Sequence, residues 1–531
     1  MCCRSAVIKM KLLALVCLVA ATGCGGAPLE EEFGYVDVRP GAHMFWVMYH
    51  VNQSGDYTTY PLIMWLQGGP GSSGVGYGNF DEMGPYDISG KPREYAWTKS
   101  ANLMFVDNPV GTGYSYVDSL ANLTTNNDQI ATDLVALVKE VFTSHSDMQK
   151  MPFFVFCESY GGKMAVDFAI AFEKAIKNGE VVSDFRGVAL GDSWISPMDY
   201  VNTWGTFLYQ MGFVNRAGQA EIDASAALAQ AAVDSEKWVQ ATDQWGATES
   251  VVDVVAHGVN FYNVLAVEDI YKTQSHSSDH NDLSFMTPAI RRLYDNHVGR
   301  LHRNRVGDPL TDFMNGPQKA HWAIPDSVTW DSQGGYVFDR LAEDFMKPVV
   351  DSVVKLLTET DLRVNVFNGN LDLICDTPGT YRWIENMEWP DKINFMEAGT
   401  KPIYISSYSS PAALVQSSGN FSLYTIFRSG HMVPVDVPEM GLKLVDTILA
   451  AAAATHQHLP PSKKEPTKLK VQEKEPSKRQ GDKQKGIPLS AVNSQRSRVV
   501  ATHLNPATPT GKRFGKLGPT FHGPRRGLHK V

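Results

Sequence analysis

The chain has 531 residues, a formal net charge of −9 and six cysteines. The length accommodates one large domain, and the acidic balance argues against a nucleic-acid partner. Four cysteines (Cys2, Cys3, Cys17 and Cys24) lie near the N-terminus, so the body can form at most one disulfide.

Arg4, Lys9 and Lys11 precede an apolar run from Leu12 to Ala21, and small residues follow at Thr22-Gly23-Cys24-Gly25-Gly26-Ala27. Charge, a short apolar stretch and then small residues describe a secretory signal peptide over residues 1–26, cleaved between Gly23 and Ala27. Ala-Thr-Gly-Cys also fits a bacterial lipoprotein cleavage site. The apolar run is too short to span a membrane. Asn52, Asn122 and Asn420 each open an Asn-x-Ser/Thr triplet and are glycosylation acceptors if the chain is secreted.

Leu62-Ile63-Met64-Trp65-Leu66 reads as a buried strand. It runs into Gln67-Gly68-Gly69-Pro70-Gly71-Ser72-Ser73-Gly74, a loop whose glycines leave N–H groups free to face a developing oxyanion. The loop lacks the Lys-Ser/Thr ending of a phosphate-binding loop. Phe153-Phe154-Val155-Phe156 reads as a second buried strand, followed by Cys157-Glu158-Ser159-Tyr160-Gly161-Gly162 and a helical pattern from Lys163 to Phe172. Strand, tight turn with serine at its tip, helix is the nucleophile elbow of α/β-hydrolases. Cys157 stands where the strict G-x-S-x-G pattern has its first glycine.

A strand ending near Ala189-Leu190-Gly191 is followed by a mainly helical cap over about residues 197–330, with a helical stretch from Ala220 to Thr242. The cap contains His276-Ser277-Ser278-Asp279-His280, read as a solvated loop rather than a metal site. Two further strands end in candidate partners for the serine. Val364-Asn365-Val366-Phe367 leads through Asn368-Gly369-Asn370 to Asp372. Leu423-Tyr424-Thr425-Ile426-Phe427 leads through Arg428-Ser429-Gly430 to His431. Serine, acid, histidine is the chain order this fold uses, and open α/β sheets place their sites at that edge of the sheet. A serine needs a base and the base an orienting acid, so Ser159, Asp372 and His431 are the candidate catalytic residues. Cys157 and Cys375 lie at the ends of the strands bearing Ser159 and Asp372, where little slack exists for bridging; they are read as free thiols. A helix from Leu442 to Ala454 closes a body spanning residues 27–455. From Lys463 onward there are 17 Lys and Arg against four Asp and Glu, so residues 456–531 read as a basic, disordered tail whose dibasic pairs are ordinary for its composition, with processing sites as the alternative.

Trp65-Leu66-Gln67-Gly68-Gly69-Pro70-Gly71, the block from Phe105 to Ser115, Glu158-Ser159-Tyr160-Gly161-Gly162 and Gly430-His431-Met432-Val433-Pro434 together resemble the serine carboxypeptidase family over roughly residues 30–450. The blocks Gly187–Pro197 and Leu371–Gly379 resemble one subgroup of it. The resemblance implies an α/β-hydrolase fold with a mostly parallel central sheet, helices on both faces and the inserted cap. It implies Ser159, Asp372 and His431 as the triad and the N–H groups of Gly69 and Tyr160 as the oxyanion hole. A substrate carboxylate would be held by Gln67, Gly68, Glu82 and Glu158, acids that must share protons, so acidic pH is expected. Gln67 departs from the asparagine most of the family carries.

No cofactor and no metal ion are called for. The expected partners are peptides or proteins with a free C-terminus, in the secretory pathway, outside the cell or in lysosomes. Three functions stay open from the sequence: a carboxypeptidase working through an acyl-enzyme, an acyltransferase or esterase on the same triad, and a non-catalytic secreted binding protein.

Overall fold

Strands that are apolar on both faces must be covered by two layers, and the central strands here are of that kind. Leu62, Met64 and Leu66 belong to one buried cluster and Ile63 and Trp65 to a second; Phe153, Val155 and Cys157 divide from Phe154 and Phe156 in the same way. The protein is described by a computed structural model that covers residues 29–266, 309–331 and 334–457. The expected signal peptide, the His276–His280 stretch and the basic tail from 458 onward lie outside the described residues.

Among the described residues one sheet holds eleven strands: β1 (Glu31–Arg39), β2 (Ala42–Tyr49), β3 (Leu62–Leu66), β4 (Asn102–Val106), β5 (Tyr116–Val117), β6 (Pro152–Glu158), β7 (Asp184–Gly191), β8 (Arg363–Gly369), β9 (Lys401–Ile403), β10 (Ala413–Ser418) and β11 (Phe421–Ile426). Their order is β1-β2-β4-β3-β6-β7-β8-β11-β10-β9, with β5 paired to β2. The six strands from β4 to β11 run parallel, and the outer pairings are antiparallel. Helices α1 (Asn127–Ser144) and α2 (Gly161–Lys177), with the helix Val350–Glu359, cover one face. The helix Pro438–Gln457 and the helical segment Gly74–Met83 cover the other. This is the α/β-hydrolase architecture expected above. Its parallel strands bring the ends of β3, β6, β7, β8 and β11 to one edge of the sheet, so the turns bearing Gln67, Ser159, Asp372 and His431 lie together.

Between β7 and β8 the described residues form helices and turns: α3 (Pro197–Val201), α4 (Trp204–Met211), α5 (Arg216–Asp234), α6 (Trp238–Val255) and shorter helices before Val350. The helical stretch expected from Ala220 to Thr242 is two helices. Glu236 takes φ +55, and the N–H groups of Glu236 and Lys237 bond back to the carbonyls of Val233 and Ala232 at 2.8 and 2.9 Å. This closes α5 as a left-handed C-terminal cap, without the glycine that usually signals one. The closing helix starts at Pro438, four residues before the expected Leu442, because proline is well suited to a first helical turn.

The α1/α2 face packs aromatic rings around Phe153, which is fully buried 5.3 Å from Phe142, 5.5 Å from Phe185 and 5.8 Å from Phe172. Phe153→Ala is therefore expected to lower unfolding free energy by about 3–5 kcal/mol while changing turnover at the candidate serine site less than about twofold. Phe153 sits at the far end of β6 from Glu158. Chemical denaturation beside steady-state kinetics checks both halves.

Candidate active site

Ser159 follows directly on β6 with φ +59, a left-handed conformation that costs a non-glycine residue energy and persists only where surroundings enforce it. They do. Its N–H donates to Gly191 O at 3.0 Å, and its carbonyl accepts from Gly162 N and Trp194 N, both at 2.9 Å. The glycine requirement of the elbow falls after the serine. A Cβ on Gly161 would lie 2.4 Å from Leu66 O, and one on Gly68 would lie 2.4 Å from Ser159 Cβ and 2.9 Å from its Oγ. Cys157 is still within β6, where an extended residue of any kind fits. Its thiol is fully buried, 3.4 Å from Ala189 O, and burial pushes it up to about 12. Cys157 and Cys375 are both free, as read from the sequence, and both are buried.

Asp372 and His431 meet directly: Nδ1 of the ring lies 2.8 Å from Oδ2, with both side chains almost wholly buried. The other carboxylate oxygen accepts from Cys375 N at 3.3 Å. Nε2 of His431 is buried and bonded to nothing among the described residues. Asp372, Cys375 and His431 present ligand atoms within 4.8 Å of one another. Burial and then the neighbouring acids hold the Cys375 thiol well above its usual range.

Gln67, Glu82 and Glu158 converge beside this pair. Gln67 Nε2 donates to Glu82 Oε1 at 2.9 Å and to Glu158 Oε1 at 3.0 Å, and its Oε1 accepts from Trp65 Nε1 at 2.7 Å. The indole thus fixes which end of the amide faces the acids. Gly78 makes this possible, since a Cβ there would strike Trp65 Nε1 at 2.5 Å. Burial raises the Glu82 carboxyl to about 7, although bonds from Gln67 and Glu158 pull it down. Burial and then the charge of Glu82 hold Glu158 well above its ordinary value. Oε2 of Glu82 is buried without a partner, an atom ready for a further hydrogen bond.

Several contacts that hold the site gave no signal that reading by motif used. Asp107, inside a block quoted only for its resemblance, accepts from Ser73 Oγ at 2.6 Å, Val75 N at 3.1 Å and Tyr114 N at 2.8 Å, and so pins the glycine-rich loop. Burial lifts its carboxyl to about 7. Trp330, from the insertion, donates to the same Ser73 Oγ at 3.0 Å. Insertion residues also clamp the acid and histidine turns. Phe261 O accepts from Leu373 N and Ile374 N at 3.0 Å, Val264 N donates to Leu371 O at 3.0 Å, and Tyr262 O accepts from His431 N at 2.6 Å. Asp436 Oδ2 receives Gly430 N at 2.6 Å and Asn263 Nδ2 at 2.9 Å.

Tyr160, the N-terminal cap residue of α2, is tied by its hydroxyl to Asp344 Oδ2 at 2.7 Å. Lys163 is fully buried. Its Nζ lies 3.0 Å from the same oxygen and also donates to the carbonyls of Asp344 and Phe345. Burial pushes Lys163 down. At Asp344 burial acts the other way, but the Lys163 charge and the bonds from Tyr160 and Lys163 win and hold the carboxyl below its ordinary value. Three acceptors around one Nζ match the three donors of an ammonium, so the pair is ionised.

The expected glycosylation acceptors differ in exposure. Asn52 is exposed. The Asn122 amide donates to Pro40 O and Gly41 O, and the Asn420 amide to Leu362 O at 3.0 Å. Among the described residues no helix is long and apolar enough to cross a membrane.

A family model for serine carboxypeptidases matches residues 24–451. The retinoid-inducible serine carboxypeptidase of Mus musculus is 42% identical over 422 residues, covering 79% of this chain and 91% of that protein. Serine carboxypeptidase-like 51 of Arabidopsis thaliana is 35% identical over 434 residues, covering 79% and 92%. Among solved structures, a prohormone-processing carboxypeptidase from Saccharomyces cerevisiae aligns with a TM-score of 0.62 at 18% identity, covering 79% of this chain and 91% of that one. At that identity the likeness speaks for the fold.

Removing one partner of a buried ion pair strands the other charge. Asp344→Ala is accordingly expected to destabilise the protein by about 3–5 kcal/mol. The double change Lys163→Met with Asp344→Leu should recover most of that loss. Denaturant titration of the three proteins tests this; a loss below about 1 kcal/mol for Asp344→Ala would mean that Lys163 is not a buried charge.

Proposed function

The chain belongs to the serine carboxypeptidase family, and we propose that Ser159, His431 and Asp372 are its catalytic triad. The observation that carries this reading is His431, anchored at Nδ1 by a buried carboxylate with a buried, unpartnered Nε2, at the sheet edge where Ser159 sits on a strained elbow. Ser159 Oγ attacks the carbonyl of the last peptide bond and passes its proton to His431 Nε2. The oxyanion is met by the N–H groups of Gly69 and Tyr160, the second of which begins the first turn of α2, where helix N–H groups lack intrahelical partners. Collapse of the intermediate breaks the C–N bond, and His431 returns the proton to the departing amino acid. Water then repeats the sequence on the ester, with His431 as base, and frees Ser159.

The C-terminal carboxylate of the substrate is bound by Gln67, Gly68, Glu82 and Glu158. The acids are supported in that role by the raised Glu82 and Glu158 carboxyls, which remain neutral and donate where a carboxylate would repel. Such a site works in an acidic setting, which fits the signal-peptide pattern and a place in the secretory pathway or lysosome. Asn52 is the acceptor whose exposure best suits a glycan. Residues 27–455 constitute the catalytic body, with the mainly helical insertion as its cap.

Ser159→Ala should lower kcat/KM on an N-blocked dipeptide by about 10⁴–10⁶ with the fold intact, since the three residues act as a unit. Activity within about tenfold of wild type would remove Ser159 from the mechanism. Release of the free amino acid distinguishes peptidase from acyl-transfer chemistry.

Glu82 fixes the direction of the pH dependence. Below about 7 it is neutral and helps bind a carboxylate; above that it ionises and repels one. KM for a free-acid peptide should therefore rise as pH passes through 7, and a C-terminal amide should be discriminated against far more at pH 5 than at pH 8. Equal rates on acid and amide at pH 5 would discard the carboxylate site. The folded protein also holds a proton here that the unfolded chain releases above the ordinary value of 4.5, so this group's stabilising contribution is fully present below 4.5 and is lost as pH rises through about 7. Glu82→Gln should flatten that part of the stability profile.

A further inference from the structure

Asp192 follows directly on β7 and is a second buried acid against the triad carboxylate. It is 1% exposed and takes φ +40, a region asparagine and aspartate enter more readily than other side chains but still at some cost. The backbone is held there by Asp192 N donating to Phe367 O at 2.8 Å. Of its carboxyl oxygens, Oδ1 accepts from Gly369 N at 2.7 Å and Asn368 Nδ2 at 2.9 Å. Oδ2 is buried and has no donor aimed at it, yet the carboxyl group is within hydrogen-bond reach of that of Asp372. Two carboxyls can share such a bond only if one carries a proton. Asp372 is an acceptor on both oxygens, from His431 Nδ1 and from Cys375 N; it is therefore the ionised member, and the proton belongs on Asp192 Oδ2.

We propose that Asp192 is a positioning residue that holds the Asp372 carboxylate in line with His431 by donating it a hydrogen bond from a neutral carboxyl group. The titratable groups that face it agree. Asp372 and the Cys375 thiol come from the turn after β8, Asp436 from the helix Val433–Asp436, and Glu158 from the end of β6; none is a cation that would draw the proton off. Burial first, and then the charge of Asp372, hold Asp192 well above its ordinary value. An ionised Asp192 would instead set two negative charges against each other and swing Asp372 off the imidazole. The residue touches no substrate and acts through Asp372, so this role rests on the triad assignment above.

The test compares the full-length enzyme with Asp192→Asn, Asp192→Ala, Asp372→Asn and the double variant Asp192→Ala/Asp372→Asn, on an N-blocked dipeptide at pH 5. The amide of Asp192→Asn keeps an acceptor for Gly369 and offers a neutral donor to Asp372, so its kcat should stay within about threefold of wild type. Asp192→Ala should lose about 10–100-fold in kcat with KM unchanged. Asp192→Ala should add nothing to Asp372→Asn, because its partner's charge is already gone. If Asp192→Ala does not fold, Asp192→Ser, too short to reach Asp372, replaces it. The proposal is overturned if folded Asp192→Asn is as impaired as Asp192→Ala, if Asp192→Ala keeps its kcat, or if Asp192→Ala lowers Asp372→Asn by a further factor. Ser159→Ala measured alongside separates the two readings: an active Ser159→Ala defeats the triad, whereas a dead Ser159→Ala beside an unimpaired Asp192→Ala defeats this role alone.

Discussion

Withdrawal of acid groups from water governs the end of the sheet where the chemistry is placed. Glu82, Glu158, Asp192, Asp372 and Asp376 are all nearly inaccessible, and a buried charge is costly unless it is paired or neutralised. The structure divides the burden unequally. Asp372 faces the imidazole and a backbone N–H; Glu82, Glu158, Asp192 and Asp376 are pushed towards the neutral form by burial. Neutral acids no longer repel one another, so burial itself relieves a cluster that looks repulsive on paper. The amide of Gln67, oriented by Trp65, bonds both Glu82 and Glu158 without adding charge.

Placement of these acids depends on two separate pieces of scaffolding. The parallel strands deliver the turns to a common edge, with register fixed by alternating faces: a slip of one residue in β6 would move Phe153, Val155 and Cys157 from one core to the other. The insertion then fixes the turns in place. The stretch from Phe261 to Val264 grips the acid and histidine turns by main-chain bonds, and Trp330 reaches the glycine-rich loop through Ser73. A cap segment that could be read as a lid is thus also a structural member of the site.

The legibility of all this was uneven for physical reasons. The strands ending at Leu66, Glu158, Gly369 and Ile426 were readable because fully buried parallel strands are short apolar runs, and the turns after them carry residue types that catalysis needs. The β1–β2 hairpin around Pro40-Gly41 includes an apolar run from Met44 to Tyr49 but none of the residue types that the motifs turn on, so a reading led by motifs passed over it. The break between α5 and α6 was missed because Ser235-Glu236-Lys237 contains neither glycine nor proline. The grip of Phe261 and Tyr262 could not have been found at all, since backbone carbonyls leave no trace in side-chain identity. Asp107 and Asp192 were in view but mute; an acid in an apolar context announces burial, not which partner it will meet.

The Lys163–Asp344–Tyr160 bond set joins the first turns of α2 to the short helix Ala342–Phe345 in the insertion. It makes the insertion and the elbow a single heritable unit. A segment around Asp344 grafted from a relative lacking that acid would arrive with no counter-charge for Lys163, and a foreign α2 lacking the lysine would leave Asp344 equally stranded. In a chimaera between this chain and a relative without the pair, the charge balance is kept where residues 163 and 344 come from the same parent.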